Sequence, residues 1–510
     1  MRRRKLIAGS LALVTALALS GCAPIGEWLA SYADIEPSTP TGELGPEGFE
    51  RYYAQSAVWE WCDTGLYCAT VDAPLDWSNS EAGDIELALA VRPATEPTHG
   101  SLFVNPGGPG ASGVALVSGD VSGFLSDEVQ ATYDIVGWDP RGVGQSTPVT
   151  CAQSDEELDG YLFGEPGTES SDVTDADLRA SAREFVDACI DNTGELIRHL
   201  DTITTARDLD MLRAIVGDTH LNYLGMSYGT EIGSEYLRLF DENVGHMILD
   251  GVVDPTATAE DMIIAQARGF ERAFVDYLDS CDSGQCELFA SRAELESAME
   301  RITALAESEQ HVSSDGRTFT SAVLRIAIAA NLYDEGLWGA LDDVLDPTVD
   351  SDETVNRAFA VADEYYGRDS DGTYSGQNAI EAFVAVSCAD YGGVVEPDRV
   401  AALQAEMLEV APLTGARNLV PDYVCAFWPT EPTRSFTPVS APDSPDILVV
   451  GTTGDPATPF EGAEAVAAQL EHGVLVSVWG TNHVAAGRNT CVIGAYDRYL
   501  LEGIARSASC

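Results

Sequence analysis

The chain of 510 residues is longer than one minimal core requires, and 45% hydrophobic content with 8% aromatics excludes a mostly disordered polypeptide. Its 83 acidic residues against 27 basic ones leave a formal net charge of -56, a surface that repels phosphate backbones and argues against nucleic-acid binding. Such an acidic coat favours solubility but names no substrate.

Met1-Arg2-Arg3-Arg4-Lys5 is a basic start, and Leu6 to Leu19 is a short apolar run rich in Ala and Leu. Leu19-Ser20-Gly21-Cys22 follows and resembles a bacterial lipobox. The run is too short for a comfortable bilayer span and suits a signal peptide. Residues 1–21 are therefore expected to be removed, with Cys22 lipidated and the mature chain anchored on the outer side of the cell membrane. The Arg3-Arg4 pair does not continue into a twin-arginine pattern. Residues 22–50, with Glu36-Pro37-Ser38-Thr39-Pro40 and Gly45-Pro46-Glu47-Gly48, read as a flexible tether. Beyond Cys22 there are ten cysteines, an even number suited to an oxidising compartment. Cys62/Cys68 and Cys281/Cys286 can close short loops, and chain order pairs Cys151/Cys189, Cys388/Cys425 and Cys491/Cys510. No CxxC pair occurs, and no metal or cofactor is expected.

From about residue 85 short apolar runs alternate with Gly-rich turns. Ile85–Val91 alternates as a strand, and Ser101–Val104 runs into Asn105-Pro106-Gly107-Gly108-Pro109-Gly110. Tyr133–Gly137 ends in Trp138-Asp139-Pro140-Arg141-Gly142, and Leu221–Leu224 enters Gly225-Met226-Ser227-Tyr228-Gly229. His246–Leu249 ends in Asp250-Gly251. Ile447–Val450 ends near Gly454-Asp455, and Val474–Val478 ends before Asn482-His483. Apolar strands separated by helical segments predict an α/β fold, a mostly parallel sheet with helices on both faces. Residues 51–255 and 441–510 form the two parts of that core. Between them, residues 256–440 carry apolar residues at helical spacing and read as an inserted helical cap.

Every chemistry-bearing motif falls at a strand end, where ligands bind in such sheets. Gly225-Met226-Ser227-Tyr228-Gly229 fits G-x-S-x-G, a sharp strand-to-helix turn that exposes a serine hydroxyl. A neutral hydroxyl needs a base. Among seven histidines, His483 follows the last predicted strand; His99, His199, His220, His246, His311 and His472 lack that placement. Asp455 gives the chain order Ser, Asp, His and would fix the imidazole tautomer, with Asp250 and Asp254 as rivals after an earlier strand. The amides of Gly107, Gly108 and Tyr228 are candidates to stabilise an oxyanion. A dinucleotide site fails, because the glycine spacing does not fit GxGxxG.

The segments Val104–Gly113, Asp134–Gly144, Leu224–Thr230, Asp250–Pro255 and Cys425–Pro429 together resemble the actinobacterial tripeptidyl aminopeptidase family of α/β-hydrolases, from about residue 50 onward. They are also similar to prolyl aminopeptidases and to mycobacterial cell-envelope members described as proteases or carboxylesterases. Met226 departs from the residue often found before the nucleophile. The resemblance implies release of short peptides from free N-termini through an acyl-enzyme, with acidic side chains holding the substrate ammonium; Glu231 and Asp390 are candidates. An ester hydrolase with the same triad, and a solute-binding lipoprotein without one, are the competing readings.

Overall fold

Every residue of Ser101–Asn105 and of Leu221–Met226 is buried, as strands covered on both faces must be. In the computed structural model, which describes residues 35–163, 174–282, 288–374, 378–414 and 423–510, ten strands form one sheet. They are β1 (Glu60–Asp63), β2 (Leu66–Pro74), β3 (Asp84–Arg92), β4 (Ser101–Asn105), β5 (Asp134–Trp138), β6 (Leu221–Met226), β7 (Val244–Asp250), β8 (Ile447–Thr452), β9 (Gly473–Val478) and β10 (Ala508–Ser509). Their order is β1-β2-β3-β5-β4-β6-β7-β8-β9-β10. The three pairings at the β1 edge are antiparallel and the remaining six are parallel. β7 and β8 are hydrogen-bonded neighbours although nearly two hundred residues separate them. The cap is thus an insertion between adjacent strands.

Alternation along β4 divides the core. Phe103 faces one apolar cluster, while Leu102 and Val104 face the other. Helix α1 (Gly113–Ser118) packs with the second cluster through Val114 and Val117. Helices α2 (Thr202–Val216) and α3 (Gly229–Phe240) pack with the first through Leu209, Leu212, Ile232 and Tyr236. The inserted helices α4 (Ala259–Asp282), α5 (Arg292–Ser308), α6 (Ser321–Leu332), α7 (Trp338–Leu345) and α8 (Ser351–Tyr366) build a third core of their own, around Phe274, Leu295, Leu324, Leu341 and Phe359.

Helix α9 (Ala379–Tyr391) lies inside the stretch read as cap but packs elsewhere. Its Ala385, Val386 and Cys388 belong to the first sheet-flanking cluster, together with Trp428, Val439 and Ala441. Asn378, just before it, donates to the carbonyls of Gly142 and Val149, both at 2.8 Å. Helix α9 therefore belongs to the sheet-flanking layer and not to the third core. Two further helices, α10 (Phe460–Gln469) and α11 (Thr490–Glu502), also flank the sheet.

The tether reading is corrected over its described part. Ser38 N–H donates to Ala57 O at 3.0 Å, Thr41 N–H to Ala214 O at 2.9 Å, and Glu43 pairs with the buried Arg213 at 2.7 Å. Pro, Thr and Gly there preclude regular secondary structure but not docking, because an extended chain still offers its amides to a neighbour. The leader, Cys22 and Cys286 lie outside the described residues. Four of the expected disulfides are formed: Cys62–Cys68, Cys151–Cys189, Cys388–Cys425 and Cys491–Cys510. Among the described residues no helix is long and apolar enough to cross a membrane.

The Asp139-Pro140-Arg141 segment after β5 serves the core. The Arg141 guanidinium is fully buried and makes two 2.7 Å bonds to Asp208, with Pro74, Leu75 and His199 carbonyls taking its other protons. Asp208 also accepts from Trp77 Nε1 at 2.9 Å. Removing one member leaves a buried charge without its counterion, so Asp208→Ala is expected to destabilise the fold by about 3–5 kcal/mol. Equilibrium denaturation of the variant would show this as a lowered midpoint.

Candidate active site

Ser227 follows β6 with φ 54°, in the left-handed region that a side-chain-bearing residue rarely adopts. Hydrogen bonds hold it there: its N–H donates to Asp250 O at 2.9 Å, and its carbonyl accepts from Thr230 N and Thr230 Oγ1 at 2.8 and 2.7 Å. A Cβ at Gly225 would lie 2.4 Å from Gly229 O, so the turn can close only over glycine. Among the described residues the Ser227 hydroxyl has no hydrogen-bond partner.

His483 stands in the loop after β9. Its Nδ1 lies 2.9 and 3.1 Å from the two carboxylate oxygens of Asp455, which is fully buried in the turn after β8. Asp455 is itself oriented: Ala457 N and Thr458 N donate to Oδ1 at 3.0 and 2.8 Å, and Thr458 Oγ1 and Val484 N donate to Oδ2 at 3.0 and 3.2 Å. Donation of Nδ1–H to this carboxylate leaves the Nε2 lone pair to accept a proton. A Cβ at Gly251 would be 3.5 Å from His483 Cε1. Gly251 follows Asp250, whose carbonyl holds Ser227, so the imidazole sits beside the serine turn.

The rival carboxylates have other duties. Asp254 Oδ1 accepts from Thr256 N, Thr256 Oγ1 and Gln469 Nε2 at 2.9, 2.8 and 3.0 Å. Asp250 accepts from the amides of Ala485 and Ala486 and from the Tyr496 hydroxyl.

Gly107 is corrected as an oxyanion donor. Its N–H donates to Asn105 Oδ1 at 3.0 Å, whereas the amides of Gly108 and Tyr228 have no partner among the described residues. Gly107 matters by contact instead. With φ 97°, a Cβ there would lie 2.5 Å from Met226 O, 2.8 Å from Ser227 Cβ and 2.9 Å from Tyr228 N. Gly107→Ala is expected to push the loop off the serine turn and lower kcat by about 10²-fold or more, the scale of one lost oxyanion donor. Steady-state kinetics on an activated ester would check it.

Glu231 and Asp390, expected at the substrate ammonium, are both committed to the protein. Glu231 is buried on α3 and pairs with Arg434, which is stacked on Tyr391, whose hydroxyl donates to the same Glu231 oxygen at 2.8 Å. Asp390 takes Thr202 N at 3.0 Å and Thr202 Oγ1 at 2.5 Å; Thr202 Oγ1 in turn meets Tyr228 OH at 2.7 Å. Burial raises the Asp390 carboxyl to about 7. Both carboxylates thus already have protein partners, as buried acids require, and on Glu231 those partners share one oxygen.

Two neighbours of the base escaped the sequence reading. Thr458 bridges Asp455 and His483, with its Oγ1 3.3 Å from Nδ1. Tyr333, from the cap, accepts His483 N–H at 2.7 Å and packs edge-on against the imidazole at 5.4 Å. Phe270, which lines a cap cavity of ≈ 630 Å³, packs edge-on against this tyrosine at 5.3 Å.

Comparison with known proteins fits this arrangement. Residues 100–293 match the alpha/beta hydrolase fold model, and residues 411–510 match the model described as TAP-like protein. The chain is 36% identical over 454 residues to serine protease Hip1 of Mycobacterium tuberculosis, covering 86% of each. The chain belongs to the TAP-like α/β-hydrolase family. It is 34% identical over 442 residues to carboxylesterase B of Mycobacterium tuberculosis, covering 86% of this chain and 84% of that protein. With the tripeptidyl aminopeptidase of Streptomyces lividans it shares 29% identity over 464 residues, 87% of this chain and 83% of the relative. As a member of this family the chain is a serine hydrolase.

Proposed function

We propose that the chain is an exported, lipid-anchored serine exopeptidase that releases short peptides of the tripeptide kind from free N-termini. Ser227 is the nucleophile, His483 the base and Asp455 the acid that orients it. The observation that carries this reading is the His483 Nδ1–Asp455 pair set beside a left-handed serine at the sheet's carboxyl edge. His483 removes the hydroxyl proton as Ser227 attacks the carbonyl, then returns it to the leaving amine. The amides of Gly108 and Tyr228 receive the oxyanion charge. Water repeats the sequence on the acyl-enzyme. The names of relatives favour peptides, but the same machinery transfers acyl groups from esters, and one relative is named a carboxylesterase.

A panel of free and N-acetylated tripeptide anilides beside short-chain esters separates these readings. Loss of peptide cleavage on N-acetylation supports the exopeptidase; cleavage indifferent to N-acetylation, or esters alone being turned over, sinks it. The anchor is tested separately: Cys22→Ala should move the protein from the membrane to the soluble exported fraction.

A further inference from the structure

Asp250 ends β7 at a position where a triad acid could stand, yet it does not face the imidazole. Its side chain is wholly buried and turned toward the backbone just after the base. Ala485 N–H donates to both oxygens at 2.9 and 3.0 Å, Ala486 N–H donates at 2.7 Å, and the Tyr496 hydroxyl of α11 donates at 2.6 Å. The carbonyl of the same residue accepts the Ser227 N–H. One residue therefore holds the nucleophile's turn with its main chain and the loop carrying the base with its side chain. The loop needs such a hold. Val484, between the base and Ala485, adopts φ 67°, unfavourable for a β-branched residue, and is kept there by bonds on either side.

We propose that Asp250 is a positioning residue of the reaction, which fixes the distance between His483 and Ser227 without touching substrate. The proposal rests on the reading of Ser227 and His483 as nucleophile and base. The donor set accounts for a carboxylate at this position. Two amides and a phenol converge on two oxygens, and an ionised carboxylate is the side chain that offers acceptors alone. Burial, with the charge of Asp455 adding to it, raises the carboxyl to about 6, against which Tyr496 and the two amides act. Above that pH the acceptor-only form prevails. Asparagine keeps the volume but turns an NH2 toward a donor, which must displace the 485–486 backbone.

A base displaced by an ångström costs about 10²-fold in rate. Asp250→Asn is accordingly expected to lower kcat on an activated ester and the rate of fluorophosphonate labelling by about tenfold to hundredfold, with KM held within about threefold. Tyr496→Phe removes one donor and leaves the carboxylate and both amides. It should lower kcat and labelling by a smaller factor, about threefold to tenfold, again at constant KM. Both are compared with wild type by thermal unfolding and run beside His483→Ala. A folded Asp250→Asn protein with wild-type kcat and labelling overturns the proposal. Where Asp250→Asn does not fold, Tyr496→Phe decides: a lowered kcat at constant KM supports the proposal, and wild-type kinetics overturns it. The His483→Ala control separates the two levels, since normal labelling there removes the base assignment itself, whatever Asp250 does.

Discussion

Ser227→Ala should lower kcat by about 10⁶-fold, and His483→Ala by nearly as much, with the double variant no worse than either. The non-additivity is the informative part. A hydroxyl without a base and a base without a hydroxyl fail at the same step, so the second loss has nothing left to remove. Fluorophosphonate labelling should vanish in Ser227→Ala. Folding should survive: the alanine keeps the N–H that bonds Asp250 O and the carbonyl that accepts from Thr230, and the hydroxyl it loses has no partner among the described residues. The φ 54° backbone is held by those same bonds rather than by the side chain. Labelling of the alanine variant at the wild-type rate would falsify the nucleophile assignment.

Much of this site was legible because its parts sit on local features. Strands β3 to β9 read as apolar runs, and the serine, its glycines, Asp455 and His483 each follow one. The features that misled or stayed open are tertiary. Asp250 and Asp455 both close buried strands, and nothing local says which carboxylate meets the imidazole; the turn at 457–458 that aims Asp455 forms only with the chain folded. Residues 35–50 have the composition of a linker, yet Arg213 and the C-terminal turn of α2 supply partners from far along the chain. Residues 379–391 fall within the stretch read as cap, and nothing local says which core receives them. Missing Gly107's commitment was avoidable, because an Asn two residues before an amide commonly accepts from it, and Asn105 stands there. The protein partners of Glu231 and Asp390 were hidden for a plainer reason: a carboxylate's partners cannot be read from its neighbours in sequence.

Asp455→Asn is the second large effect, expected at about 10⁴-fold in kcat, the scale on which a triad loses its correct imidazole tautomer. The carboxylate is acceptor to four protein groups besides the imidazole, two on each oxygen. Asparagine can keep its carbonyl toward Ala457 N and Thr458 N, which aim at Oδ1. Its NH2 then stands where Oδ2 was, facing Val484 N–H and 3.1 Å from Nδ1, so that it competes with the carbonyl 2.9 Å away for that nitrogen. A donor facing Nδ1 is best met by an imidazole with its proton on Nε2, which turns N–H rather than a lone pair toward Ser227. The amide therefore stops catalysis while leaving volume and most bonds in place, and thermal unfolding should change far less than kcat. The three candidate acids then rank by what they hold. Asp455→Asn loses about 10⁴-fold and Asp250→Asn about tenfold to hundredfold. Asp254, whose carboxylate holds Thr256 and Gln469 among the described residues, should stay within about twofold as Asp254→Asn. Measuring kcat for the three on one ester fixes that order, and an Asp254 effect matching that of Asp455 would return the acid's role to the earlier strand.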